Sequence, residues 1–442
     1  LSFTKALPDN LEPISMTPSS WLHLLLFLLI VGPLAFVLFL SAIPGHGLAG
    51  PPRRLFYRVH RSRRLFLAVG PLAWGVLVLR WAEGLADPLW PILGGLALAA
   101  VLAGYFLAHP IHLFQTIRQP RFRAADPVEI PEDMLVLGLD RDGPPRAYTL
   151  DTLIQPHGAV DTLGEETVLV IWCSLSNTAS ALHPGTEVSS LENFRPATAI
   201  NDNLCYYDLG NGNLFQQIED GVVCGPDAGR RSDTRPVTVT TWRMWQRLHP
   251  DTLVCHMAPA RLHDRFVRHV ALGVHRRLPT LDRPFHPIDR PLDPRLPPMT
   301  PVLAVSHDSV AKAWPRALLH RCRILCAEVG GEPLVLLADA GGEMAAAYSR
   351  RLGDRVLRFE LLEALDATEL PPDQREILAA RSPDGSLWDL AGRCVAGPRQ
   401  GDRLESPPHF QCAFWFSWAR YHPETEMASL DPTDRERSPD TP

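Results

Sequence analysis

The frame that runs from Trp242 through Trp245 and His249-Pro250 to Thr252 returns later in the chain as Trp415, Trp418, His422-Pro423 and Thr425. A recurrence at fixed spacing restricts the fold more than composition can, because a duplicated chain must build one local unit twice. In each copy the two tryptophans and the histidine fall on one face of a short helix, which the proline after the histidine ends. Upstream, Asn211-Gly212-Asn213-Leu214-Phe215 corresponds to Asp384-Gly385-Ser386-Leu387-Trp388. Asn-Gly and Asp-Gly accept positive φ angles, so both read as hairpins with two-residue type I′ turns. Glycines follow in step: Gly221 with Gly392, Gly225 with Gly397 and Gly229 with Gly401. Further back, residues 135–182 align without a gap on residues 301–348, pairing Asp142 with Asp308, Ala147 with Ala313, Leu153 with Leu319, Glu166 with Glu332 and Ala181 with Ala347. The expected layout is therefore copy one at 131–258, a connector rich in Pro, Arg and His at 259–295, and copy two at 296–427.

What precedes the copies is of another kind. After an N-terminal tail (1–20) that contains Met16, a possible start, come three apolar stretches, 21–43, 65–81 and 89–108, within a membrane region 21–123. About 20 apolar residues cross a bilayer. The first is too long for a signal-peptide core and lacks a basic region before it, so it reads as a retained span. Gly70-Pro71 predicts a bend in the second. Arg53, Arg54, Arg58, Arg61, Arg63 and Arg64 lie between the first two spans and Arg118, Arg121 and Arg123 follow the third, whereas Lys5 and Arg80 are the basic residues on the other side. The positive-inside rule then puts the N-terminus outside and the duplicated region in the cytoplasm, at a cytoplasmic (inner) membrane. The lipid bilayer is the partner this implies. A net charge of −6 with 21% charged residues gives no footprint for nucleic acid. Residues 428–442 are polar and have the composition of a disordered tail.

Short, apolar, partly β-branched runs dominate both copies: 134–139, 167–172, 302–305 and 334–337. Helices are expected around 148–154, 313–320 and the two tryptophan frames. The class is α+β: a three-helix membrane region, then two tandem, related, mainly antiparallel β-rich repeats with short helices.

The motif order carries a resemblance. His157, Val160-Asp161, Val168 to Thr178 with Cys173, Tyr207-Asp208, Leu214 to Gln217, Gly225-Pro226 and Trp242 to Thr252, then Gly385 to Asp389, Gly397-Pro398, Gly401 and Phe414 to Trp418 in the second copy, together resemble the bacterial domain-of-unknown-function family numbered 3179. The resemblance covers about 131–427 and brings no reaction with it. Relatives carry a second cysteine where this chain has Ser176, and a tryptophan where it has Phe215.

Cys173 ends an apolar strand and opens onto Ser174, Ser176, Asn177 and Thr178, a polar turn that could surround a thiolate, the nucleophilic and metal-binding form of cysteine. His157 is sixteen residues upstream, at the far end of the same excursion. In copy two the aligned residues are Arg323 and Asp339, so a pocket is expected on copy one, lined by His157, Cys173, Thr178, Asp208 and Gln217, with copy two as its wall. A transition metal, if one binds, would draw on His157 and Cys173. The structural alternative is a buried cysteine acting as a small hydrophobe beside a satisfied histidine. The eight cysteines are expected as free thiols, since disulfides need an oxidising compartment. The chain lacks a phosphate loop, a dinucleotide fingerprint, a Gly-x-Ser-x-Gly elbow and a His-Glu-x-x-His helix. Two readings follow: a membrane-anchored module that binds a ligand or protein partner, and a thiol- or metal-dependent enzyme centred on Cys173 and His157.

Overall fold

The structure is a computed structural model that describes residues 17–41, 53–114, 116–126, 129–140, 143–183, 185, 188–258, 261–362, 376–407 and 409–428. The tail up to Met16 with Lys5, the span end at Ala42 and Ile43, Asp142, and the tail from Ser429 lie outside the described residues. By internal contacts the chain divides into two compact units, Leu1–Ala42 with Leu55–His109 and Ile43–Arg54 with Pro110–Pro442.

Three helices of the first unit are long and apolar enough to cross a membrane: α1 (Pro18–Ser41), α3 (Arg63–Ala82) and α4 (Leu89–Ala108); α2 (Arg53–Arg61) precedes α3, and its first two residues, Arg53 and Arg54, belong to the second unit. Helix α3 runs through Pro71, where the sequence predicts a bend. Glycines let the helices approach closely: a Cβ on Gly70 would stand 2.9 Å from the Ile30 carbonyl oxygen, and one on Gly94 3.0 Å from the Ile30 side chain. Ile30, Leu77 and Leu98 meet in the contact so formed.

The second unit is α+β with mainly antiparallel sheets. After α5 (Pro110–Leu113) and β1 (Arg123–Ala124), the first β-rich stretch contains β2 (Leu135–Leu139), β3 (Arg146–Thr149), α6 (Leu150–Leu153), β4 (Gly158–Leu163), β5 (Glu166–Cys173), β6 (Thr178–His183), β7 (Phe194–Ile200) and β8 (Asn203–Asp208). It continues with β9 (Leu214–Gln216), β10 (Gly221–Cys224), β11 (Asp233–Arg235), β12 (Thr238–Thr241), α7 (Trp242–Leu248) and β13 (Leu253–Cys255). Helix α8 (Leu262–Arg277) follows, inside the segment whose composition reads as a connector. The second stretch contains β14 (Pro301–His307), β15 (Val310–Pro315), α9 (Arg316–Cys322), β16 (Ile324–Val329), β17 (Glu332–Ala338), β18 (Ala345–Ser349), β19 (Arg351–Leu352), β20 (Arg355–Val356) and β21 (Glu360–Leu361). It ends with β22 (Leu378–Arg381), β23 (Leu387–Asp389), β24 (Cys394–Ala396), β25 (Phe410–Phe414), α10 (Trp415–Tyr421) and β26 (Glu426–Met427).

In the first stretch one sheet has the order β1-β13-β3-β2-β12, a second β11-β6-β5-β4 and a third β10-β9-β8-β7. In the second stretch the orders are β26-β15-β14-β25, β18-β17-β16 and β24-β23-β22-β21, with β19 and β20 as a separate two-stranded sheet. Among the named strands the parallel pairings are β13 on β3 and β26 on β15, each made by the strand that follows a tryptophan helix. Strands β5 and β17 explain their unbroken apolar runs: each is buried on both faces. Val168, Val170 and Trp172 face one core, while Leu169, Ile171 and Cys173 face another. Val335 and Leu337 likewise face one core, and Leu334 and Leu336 a second.

The predicted strands lie where the sequence puts them, but the helices after β3 and β15 start later than expected. Ala147 to Thr149 pair with β2, and Ala313 to Pro315 with β14, so helix begins at Leu150 and Arg316. The two glycine hairpins also differ from a type I′ turn, which needs positive φ at both central residues. Gly212 and Gly385 have φ of 81° and 86°, while Asn211 and Asp384 do not join them in the left-handed region. Asp384 instead accepts from the Ser386 amide at 3.1 Å and the Ser382 hydroxyl at 2.7 Å, and this holds a longer loop whose last residue alone needs glycine. Two-residue turns with both φ values positive occur elsewhere, at Asn201-Asp202 and Asp308-Ser309.

The tryptophan helices show their roles in hydrogen bonds. Trp245 Nε1 donates to Thr252 Oγ1 at 2.8 Å and Trp418 Nε1 to Thr425 Oγ1 at 2.9 Å, while His249 and His422 lie against the tryptophan rings with centroids 4.1 and 4.0 Å apart. Each helix reaches the other stretch. Met244 and Leu248 of α7 enter a core built from Val335 to Leu404, and Phe416 of α10, with Phe414, enters a core built from Leu169 to Phe215.

Candidate functional site

The β4/β5 register pairs Gly158 with Ile171, so His157 stands opposite Trp172 and the backbones of His157 and Cys173 are near neighbours. Their side chains part. Cys173 turns into the core with Ile171, and its thiol donates to the Asp202 carbonyl at 3.5 Å, whereas the His157 ring lies 4.3 Å from that of Phe114. Neither side chain is the other's hydrogen-bond partner among the described residues. His157 takes a left-handed φ of 61° that ends the turn before β4, and its carbonyl accepts from Tyr206 Oη at 2.9 Å. Burial pushes the Cys173 thiol up and the His157 imidazole down to about 4, so both are uncharged at neutral pH.

Thr178 and Gln217 do come together. Thr178 Oγ1 donates to Gln217 Oε1 at 3.3 Å, Gln217 Nε2 donates to the Thr178 carbonyl at 3.1 Å, and Asn203 Nδ2 donates to Ser176 Oγ at 3.1 Å. This network satisfies buried polar groups where the β5/β6 and β7/β8 hairpins meet, and Cys173 touches it through its strand partner Thr178. Asp208 stands apart: its carboxylate accepts from the Ser189 amide and hydroxyl at 2.6 Å and from the Gly210 amide at 2.8 Å, fixing the loop after β8. None of the five is more than 8% exposed. Among the described residues no three His, Cys, Asp or Glu side chains converge as a metal site would need, and all eight cysteines are free thiols.

An open site lies elsewhere. A cleft of about 460 Å³ is walled on one side by Glu219, Gly221 to Val223 and Gly229 to Arg231, and on the other by Arg420 to Pro423, with Arg53 and Arg290 completing it. The hairpin after β10 presents Arg230 and Arg231 because it is tight. A Cβ on Gly221 would stand 2.7 Å from the Arg230 carbonyl oxygen, Gly229 has a φ of 93°, and the Val222 amide donates to that same carbonyl at 2.9 Å.

Helix α10 supplies the opposite wall. Arg420 is held by Asp289 through two bonds of 2.7 and 2.8 Å, and Arg53 by Glu219 at 2.5 Å, with the Tyr421 ring 5.5 Å from the Arg53 guanidinium. Arg231 and Arg290 are exposed and make no ion pair among the described residues. Burial and the nearby Arg231 lower His422 to about 4, so it is neutral at pH 7. Arg53, Arg230, Arg231, Arg290 and Arg420 thus line the cleft, with Glu219 as the one carboxylate in its wall among the described residues. At the end of α7 the arginines are matched instead: Arg393 pairs with Asp389 and donates to the Leu248 carbonyl at 2.5 Å, Arg403 pairs with Asp140, and Arg247 with Glu376.

Sequence reasoning missed this cleft. Arg230 and Arg231 directly follow Gly229, the last of the matched glycines, and Arg420 lies in the second tryptophan helix, but only the folded chain brings Arg53 and Arg290 to them. Neither a curated protein nor a solved structure matches the chain. The family model described as "Protein of unknown function (DUF3179)" matches residues 114–425, well over half of the sequence, and the chain belongs to that family.

Proposed function

We propose that this is a membrane-anchored binding protein whose arginine-lined cleft takes an anionic ligand bearing a phosphate or phosphate-ester group. The observation that carries the reading is the set of five arginines lining one cavity of small-molecule size. Arginine offers paired N–H donors in a fork that matches phosphate oxygens. Arg420 and Arg53 are held in place by Asp289 and Glu219, which leaves Arg231 and Arg290 for an incoming anion. The alternative of thiol or metal chemistry at Cys173 and His157 draws no support from their surroundings, which keep both groups buried and uncharged.

The test is calorimetric titration of the full-length protein in neutral detergent with pyrophosphate. Binding is expected to weaken as salt is raised. Arg231→Ala and Arg290→Ala should each weaken it about tenfold, in line with the loss of a charge-assisted hydrogen bond. Equal binding by both variants and wild type, or no binding at millimolar pyrophosphate, would overturn the assignment. Nanodiscs with and without phosphatidic acid separate a lipid headgroup from a soluble phosphate ester as the source.

Two further features belong to this reading. The β-rich region arose by duplication: the matching sheet orders, the two parallel pairings and the repeated tryptophan-threonine bonds support it. The three apolar helices cross a cytoplasmic membrane with the β-rich region on the cytoplasmic side, which the arginines flanking the spans support. A reporter fused after Pro442 should then work only as a cytoplasmic one, and alkaline-phosphatase activity there would refute the orientation.

A further inference from the structure

Helix α8 has two dissimilar faces. Inward, Ala271 and Leu272 pack on the core that contains Val168 and Trp172, Val274 packs on the neighbouring core, the His275 ring is 5.1 Å from that of Trp172, and Arg268 pairs with Asp151 at 2.5 Å. Outward, Leu262, Phe266 and Val270 are 82%, 67% and 48% exposed. Spaced four residues apart, they form one stripe along the helix, which Gly273 and Arg277 prolong. Arg265, His269 and Arg276 border that stripe and are exposed. Asp264 is the one acidic residue of the helix; it is half-buried and lies 3.6 Å from His263. A soluble surface rarely leaves a phenylalanine and two large aliphatic side chains aligned in water.

We propose that the outward face of α8 lies on an anionic lipid surface, with Leu262, Phe266 and Val270 entering the headgroup boundary and Arg265, Arg276 and Arg277 meeting lipid phosphates. The occupant follows from charge and tethering. An apolar stripe with arginine borders, on a helix that itself presents no outward carboxylate, complements an anionic bilayer and gives a neutral one little reason for preference. The three apolar helices of the same chain keep a bilayer within reach, so contact too weak for a free protein becomes effective when it is intramolecular. The inference is independent of the arginine cleft, since α8 contributes no residue to it.

The full-length protein carrying Phe266→Cys is labelled with an apolar, environment-sensitive fluorophore and reconstituted into vesicles of phosphatidylcholine with or without phosphatidylglycerol, each with spin-labelled lipid as quencher. Background from the half-buried Cys322 and Cys326 is read from the labelled parent protein. Quenching is expected in the phosphatidylglycerol vesicles and should fall severalfold in the neutral ones. It should also fall when Arg265, Arg276 and Arg277 are changed to glutamate, each charge near the surface being worth about fivefold in affinity. Absence of quenching in anionic vesicles overturns the proposal, as does equal quenching in both lipids. A fluorescence change that grows with protein density without lipid quenching overturns it too, because a second copy would then cover the face. All substituted side chains are exposed, and a circular-dichroism melt of each variant confirms that the fold is kept.

Discussion

Trp245→Ala is expected to destabilise the folded protein by about 3–5 kcal/mol, and Trp418→Ala by a similar amount. Both indoles are fully buried, each donates to the threonine that ends its frame, and each lies against the histidine four residues on, buried at His249 and half-buried at His422. The Trp245 ring also lies directly over Gly138, where a Cβ would approach to 2.0 Å, so the cavity left by alanine borders a backbone that cannot close it without shifting β2. Helix α7 supplies Met244 and Leu248 to the core of the second stretch, and α10 supplies Phe416 to that of the first. Loosening either helix should therefore weaken both stretches. Urea unfolding followed by circular dichroism should show one transition for the β-rich region, moved to lower urea by either substitution. Two separate transitions, each answering to only one of the tryptophans, would refute the coupling.

The second large effect is acid lability. Burial lowers His157, His275 and His422 to about 4 and His249 to about 3, against an ordinary value of 6.5. Each histidine is therefore neutral in the folded chain at a pH where the unfolded chain already binds a proton. Their contribution is fully present above pH 6.5 and is lost as pH falls from there toward 4. For His157 alone, a displacement of that size corresponds to on the order of 3 kcal/mol at pH 4. Asp220 and Asp389, whose carboxyls burial raises, act in the opposite sense and offset part of the loss. The Tm should hold steady between pH 8 and 7 and drop steeply between pH 6 and 4.5, and His157→Gln should flatten that slope. A Tm that does not change down to pH 4.5 would show that these histidines find partners or water when protonated.

How far the sequence could be read depended on whether the determinant was local. Gly212, Gly385, Gly225 and Gly397 all take positive φ, as glycines at turns do, and the tryptophan frames became helices because their spacing and following proline act within two turns of chain. The turn type was misread because Asn-Gly and Asp-Gly tolerate a type I′ turn without requiring it, and the Asp384 side-chain bonds decided otherwise. Helix α8 was hidden by its own chemistry: its apolar stripe faces outward, and its arginines and histidines gave the segment the composition of a connector. Cys173 and His157 looked like partners because their backbones adjoin, but the alternation of side chains along β5 sends the thiol into the core. The cleft was beyond reach for a different reason. Arg53, Arg231, Arg290 and Arg420 are separated by long stretches of chain, and only packing decides which arginines share a cavity.

The exchange of helices between the two stretches also bears on how the protein is made. When the ribosome has released the first stretch, Met244 and Leu248 still lack their neighbours, because those neighbours extend to Leu404. The early half waits with apolar surface uncovered, and a product cut short near residue 300 would keep it uncovered, a ready substrate for proteolysis and aggregation. For the same reason a gene divided at the connector is expected to give two halves that do not fold alone; expressed together, the halves would have to find each other before either was complete.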